Sequence, residues 1–219
     1  MAQGMLLADQ AFQAFRDLLC CGDVRAGQLV SISELVDKTG FPLAPVREAV
    51  KHAASWGLVR ILPKRGVLVI EPTPEVIRAC FHLRTLLDQE GARILALKPD
   101  GARMRALREE HVAVRLQALE GITPKLQHWA MAVDWALHEA LADALDNPLA
   151  ADVYACNHDR ITVLQLSRRL LPERIVPAMD EHLQIIDAVL SGDADVAVRA
   201  VRTHLTGTLR WWGISLGED

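Results

Sequence analysis

Asp134 and His138 stand four residues apart, and His182 and His204 follow on two later stretches of helical pattern. Four residues on a helix return to the same face, so this carboxylate and imidazole project together. Three imidazoles and one carboxylate form an N3O donor set suited to zinc, or to nickel, manganese or iron with added water. The other histidines, His52, His82, His111, His128 and His158, receive no ligand role. A metal with open positions also serves hydrolases. Yet no general base stands at a suggestive spacing from a nucleophile, and there is no Gly-rich phosphate loop.

Such a set needs long helices to present it, and the chain after residue 74 has that pattern. Helical spacing covers residues near 74–97, 100–120, 124–145, 148–171, 173–191 and 193–213. The breaks are Lys98-Pro99-Asp100-Gly101, Gly121–Pro124, Asn147-Pro148, Pro172 and Ser191-Gly192-Asp193. Connections this short imply an all-α six-helix bundle over 75–219. Upstream, Glu71-Pro72-Thr73-Pro74 is a stiff, extended connection. Before it, residues 8–21 set Phe12, Phe15, Leu18 and Leu19 on one side. Ser31 and Glu34 form a capping-box pair, with Gly40 as the stop. A third helix starts near Pro42–Pro45 and runs to Trp56. Leu58–Leu62 and Val67–Ile70 are β-prone runs around Pro63-Lys64-Arg65-Gly66, a hairpin signature. The expected fold is therefore mostly α. Residues 1–71 form a winged helix-turn-helix with a two-stranded wing, ahead of the bundle.

The chain has 219 residues, 51% of them apolar and 24% charged. That balance excludes a disordered or collagen-like chain. No run of 18 apolar residues predicts a membrane span, and the N-terminus lacks the marks of a secretory signal. Cys20, Cys21, Cys80 and Cys156 form no metal-type pair and read as reduced thiols of a cytoplasmic protein. The net charge of −4 argues mildly against a nucleic-acid partner. Its distribution reverses that argument. From Lys38 to Arg65 there are six cations, Lys38, Arg47, Lys51, Arg60, Lys64 and Arg65, against Glu48 alone, a local charge of +5. Arg47 suits a base edge or a phosphate, and Lys51, one turn on, suits a phosphate. Lys64 and Arg65 sit at the wing tip, where Arg is favoured in a minor groove. Lys38 completes the expected DNA-binding set.

Pro45-Val46-Arg47-Glu48-Ala49-Val50, Trp56-Gly57-Leu58-Val59 and Pro63-Lys64-Arg65-Gly66 resemble the blocks P-V-R-E-A-L, e-G-L-V and p-x-r-G of the GntR family of bacterial transcription regulators. Ala26-Gly27-Gln28-Leu29 and Ser33-Glu34-Leu35 are similar to the preceding blocks. Pro42, Leu43 and Ala44 replace the family's usual Ser-Arg-Thr, which removes a helix cap and one basic contact. Downstream, DWALH, LDNPL, EHLQIIDAVLSGD and RTHL resemble the FCD ligand-binding domain of the FadR subfamily. The helix count suggests its shorter, VanR-like branch. The resemblance implies metal ligands at Asp134, His138, His182 and His204. It implies a homodimeric regulator, a repressor by family habit, that binds double-stranded operator DNA and responds to a small organic acid. Arg84 matches a family arginine and could clamp the effector's carboxylate, or pair with Asp88 at i+4. Asn157, His158 and Arg160 are further candidates for the effector cavity. The rivals are a metal-dependent hydrolase or lyase with an accessory winged module, and a purely structural zinc site.

Overall fold

Each helix begins and ends where local chemistry can satisfy its free backbone groups. The computed structural model describes residues 6–98, 100–167 and 172–214. The described residues fall into two compact units, one of Met1–Ile77 with Ala155–Arg169, the other of Arg78–Tyr154 with Leu170–Asp219.

The first unit opens with α1 (Leu7–Cys20), β1 (Leu29–Val30), α2 (Ile32–Thr39) and α3 (Leu43–Ser55). Ser31 caps α2 through the expected capping box: its hydroxyl accepts from Glu34 N at 3.1 Å, and the Glu34 carboxylate accepts from Ser31 N at 2.8 Å. Gly40 ends the helix at φ +73°, a backbone that L side chains resist. Pro42 gives α3 no side-chain cap. Strands β2 (Val59–Leu62) and β3 (Gly66–Val69) form the wing. The sheet has three strands rather than two, in the order β1-β3-β2, all antiparallel. Two residues are too few to show an alternating pattern, which is why β1 left no signal in the sequence.

Phe12, Phe15 and Leu19 of α1 bury against Leu35, Val46, Val50, Val59, Val67 and Val69. Val163 joins this core from α7 (Pro148–Leu166). Arg16 fastens the same stretch by bonding both oxygens of buried Asp159, at 2.5 and 2.7 Å. Arg160 Nε donates to the Trp56 carbonyl at 2.7 Å. The end of α7 is thus part of the head, a long-range pairing invisible to periodicity.

The second unit contains most of α4 (Pro74–Leu97), α5 (Gly101–Glu120), α6 (Pro124–Asp143), the start of α7, a 3-10 turn at Pro172–Arg174, α8 (Ile175–Ser191) and α9 (Ala194–Trp211). The expected bounds lie within a few residues of these; Pro99 and residues 168–171 fall outside the described residues. Asp100, Thr123 and Asp193 cap α5, α6 and α9. The core layers are Leu95, Leu137, Leu141, Ile185, Val189 and Val201, then Val114, Leu126, Val133, Ile175 and Met179. At Gly91, α4 approaches α6 so closely that a Cβ would lie 1.9 Å from the Leu141 carbonyl oxygen. That approach brings Arg84 and Asp88 of α4 beside the face of α6 that carries His138. Among the described residues no helix is long and apolar enough to cross a membrane.

Candidate functional site

Inside the helical unit the apolar core is interrupted by four imidazoles, a guanidinium and carboxylates. His138 of α6, His182 of α8 and His204 of α9 are buried, and one ring nitrogen from each lies within 4.8 Å of the others. His182 Nε2 is 3.4 Å from His204 Nε2. Asp134 turns its carboxylate to the same centre, at 3.5 Å from His182 Nε2 and 4.0 Å from His138 Nε2. Ligands about 2.0–2.1 Å from a tetrahedral ion stand roughly 3.3 Å apart, close to these separations.

The outer ring nitrogens fix where the protons sit. His138 Nδ1 meets the Asp88 carboxylate at 2.8 Å, and His204 Nδ1 meets Glu181 at 2.8 Å. A carboxylate only accepts, so both Nδ1 atoms carry hydrogen and both Nε2 atoms present lone pairs. His182 reaches the same state through another histidine. His111 Nδ1 donates to the Leu107 carbonyl at 2.7 Å, which leaves His111 Nε2 to accept from His182 Nδ1 at 3.2 Å. With the rings in these tautomers, three ring nitrogens face one another as acceptors, and the Asp134 carboxylate lies beside two of them. His138 Nε2 is buried with no hydrogen-bond partner. This donor set fits a divalent cation, which would replace mutual repulsion by coordination.

Electrostatics agree. Burial above all pushes the His204 imidazole down to about 4, against the opposing bond from Glu181. Burial, then His204 and His138, holds His182 well below the ordinary imidazole range. Burial likewise lowers His111. Burial alone would raise Asp134, but His138 and Arg84 outweigh it and keep the carboxyl below its usual range. Glu181 is held down in the same manner, with Arg174 as the main opponent of burial, through bonds of 2.8 and 2.5 Å.

Arg84 lies at the edge of the cluster. Its Nη2 is 3.4 Å from His204 Nε2, and its Nε is 3.7 Å from Asp88. The guanidinium is also held near the rings of Phe81 and Trp135, 5.0 and 5.7 Å from their centroids. It is buried, yet Nε and Nη1 make no hydrogen bond. The ion pair with Asp88 therefore exists and leaves donors unused.

The structure brings Asp134, His138, His182, His204 and Arg84 together. Arg160 Nε is bound to the Trp56 carbonyl of the head at 2.7 Å. His158 stands beside Asp159 at 3.6 Å, and Asn157 is buried on the same stretch of α7. Asp88 was visible in the sequence only as an i+4 partner of Arg84, and Glu181, Arg174 and His111 are site residues that it did not reveal. Their one visible signal is a histidine at 111 within the buried stripe Met104, Leu107, Val114 and Ala118.

In the head, α3 buries Val46, Ala49, Val50 and Ala53, so Arg47, Glu48 and Lys51 face outward. Lys51 pairs with Glu48 at 2.8 Å. Lys38, Lys64 and Arg65 are exposed as well, Lys64 at the wing tip with φ +61°.

Residues 7–69 match the family of bacterial regulatory proteins, gntR family, and residues 79–207 match the FCD domain. The chain is 29% identical over 195 residues to an uncharacterised HTH-type transcriptional regulator in an unstable DNA locus of Streptomyces ambofaciens, covering 87% of this chain and 78% of that one. It is 30% identical over 136 residues to an uncharacterised HTH-type transcriptional regulator in the TAR-I ttuE-ttuC' intergenic region of Agrobacterium vitis, covering 60% and 76%. The solved fold of Escherichia coli McbR/YncC is similar with a TM-score of 0.69 at 15% identity, over 94% of this chain and 97% of that one.

Proposed function

This chain belongs to the GntR family of bacterial regulatory proteins, a DNA-binding transcriptional regulator with an FCD domain, and from that premise we propose that the domain senses a small organic acid through a divalent metal. Asp134, His138, His182 and His204 hold the ion, zinc before nickel, manganese or iron. Bound there, the metal supplies a Lewis-acid anchor for a carboxylate. Arg84 turns its unused donors to that carboxylate, and Phe81 and Trp135 keep the guanidinium in place. Asp88, Glu181 and His111 hold the three imidazoles in one tautomer.

The observation that carries this reading is the gathering of the His138, His182 and His204 ring nitrogens in a buried centre, with the Asp134 carboxylate beside two of them. The family is one of regulators, so the site is read as a sensor and not as a centre of turnover. Two copies read two half-sites of an operator through Arg47, Lys51, Lys38, Lys64 and Arg65. Binding of the acid favours the conformation that releases DNA, so the protein represses and the acid relieves repression.

The test is metal analysis of purified protein beside a His182→Ala variant, followed by gel shift with DNA flanking its own gene and a panel of organic acids. The expected result is about one divalent ion per chain, lost in the variant, and a shift abolished by one class of acid. Equal metal content in the two proteins removes the site. Metal with no acid that changes the shift leaves a structural ion in place of a sensor.

A further inference from the structure

The first turn of α3 is chemically unlike the rest of its outward face. Arg47 and Lys51 project charge, but Pro42, Leu43 and Ala44 are exposed, and no side chain from Pro42 to Val46 has a polar atom. Leu43 leaves 47% of its surface in solvent, beside a core that accepts Val46 one turn deeper. The same unit carries exposed cations at Lys38 on α2, at Arg47 and Lys51 on α3, and at Lys64 and Arg65 on the wing. Exposed cations on the elements that bear an uncharged helix start suit a duplex, whose phosphates flank its base edges.

Residues at the N-terminus of a recognition helix reach base edges first. In the major groove every base offers hydrogen-bonding atoms, but only thymine offers an apolar group, its C5-methyl. From these observations we infer that Leu43 and Ala44 read thymine methyl groups in the operator, an inference that rests on the head's reading of DNA. Leu43 and Arg47 are four apart and share a face. One helical turn rises 5.4 Å and base pairs are spaced about 3.4 Å, so the thymine lies about one to two base pairs from the position that Arg47 faces. The discrimination is steric and apolar: the methyl fills space beside Leu43 that a bare pyrimidine edge leaves to water.

Duplexes selected by the full-length protein from a randomised pool provide the test. Each thymine of the selected half-site is replaced in turn by deoxyuridine, which keeps the pairing with adenine and removes only the methyl. One or two replacements are expected to weaken binding about fourfold each, the value of one buried carbon. Leu43→Ser is expected to bind the thymine and deoxyuridine duplexes equally, with an unchanged melting temperature. Leu43→Arg is expected to move the preference at that base pair from T·A to G·C. Equal binding of all deoxyuridine duplexes by the unaltered protein, or full affinity of Leu43→Ser for the selected duplex, overturns the inference. A pool that yields no duplex at low salt overturns the DNA reading itself and this inference with it.

Discussion

The two units put their chemistry in opposite places. In the head, Arg47, Lys51, Lys64 and Arg65 lie in solvent, and the core beneath them is apolar. In the helical unit, His111, His138, His182, His204, Arg84 and Asp88 are buried among the side chains that hold the unit together. Exposed charges contribute little to stability, so recognition by the head can change without unfolding it. Buried polar groups cost free energy unless each finds a partner. His138 Nε2 and two nitrogens of Arg84 make no hydrogen bond within the protein. The stability of this unit is thus tied to whatever engages these atoms, and the residues that orient the histidines matter nearly as much as the histidines themselves.

The sharpest way to break this contrast is to change a residue that touches a ligand without being one. Glu181→Gln keeps an acceptor for His204 Nδ1 but loses the charge that Arg174 clamps. Zinc affinity is expected to fall about 10- to 100-fold in competition with a chromophoric chelator. Arg47→Ala is the matching change in the head. It is expected to weaken operator binding by about 1–3 kcal/mol by fluorescence anisotropy, with the melting temperature unmoved because the side chain is exposed. A variant that binds metal normally in the first case, or melts early in the second, would collapse the distinction between the units.

The next test is a slope with pH. In metal-free protein, His204 sits at about 4 and His182 and His111 lie below the ordinary 6.5, with burial the leading cause in each. The unfolded chain therefore takes up protons first as pH falls, and the folded state follows only nearer 4. Stability is present above 6.5 and is lost as pH drops from about 6.5 toward 4. Thermal melts across that window, after chelation, should show the fall, and a flat profile would mean that the imidazoles are not buried neutral.

How much of this could be read beforehand differs between the units for the same reason. The head is built from local signals: Ser31 with Glu34, Gly40 after its helix, the turn at Pro63–Gly66, and cations gathered in one segment. Each acts over a few residues, so the sequence displays it. The strand Leu29–Val30 and the docking of Asp159 on Arg16 join distant segments and leave no periodic trace. In the bundle the four candidate residues were legible because Asp134 and His138 share a helical face and His182 and His204 stand in family motifs. The tautomer-fixing groups were not. Asp88, Glu181 and His111 act across helices 50, 23 and 71 residues apart in sequence. The bond from Arg160 to the Trp56 carbonyl spans 104 residues and leaves no local pattern either.

The smallest expected effect lies in the helix caps, where the two helices of the turn motif can be set against each other. Ser31→Ala removes the acceptor for Glu34 N and frees the Glu34 carboxylate from its reciprocal geometry. About 1 kcal/mol of stability should be lost, seen as a drop of a few degrees in melting temperature, with bound metal and the pH slope unchanged. Pro42→Ser, which would restore a capping side chain to α3, should return much less. Pro45 occupies the third position of that helix and has no N–H to offer, so the donor that a cap would normally satisfy is absent. Ala44 N alone remains for the new hydroxyl. An equal and opposite response from the two variants would show that α3 suffers from its missing cap; a small gain for Pro42→Ser beside a clear loss for Ser31→Ala would show that Pro45 has already removed the need for one.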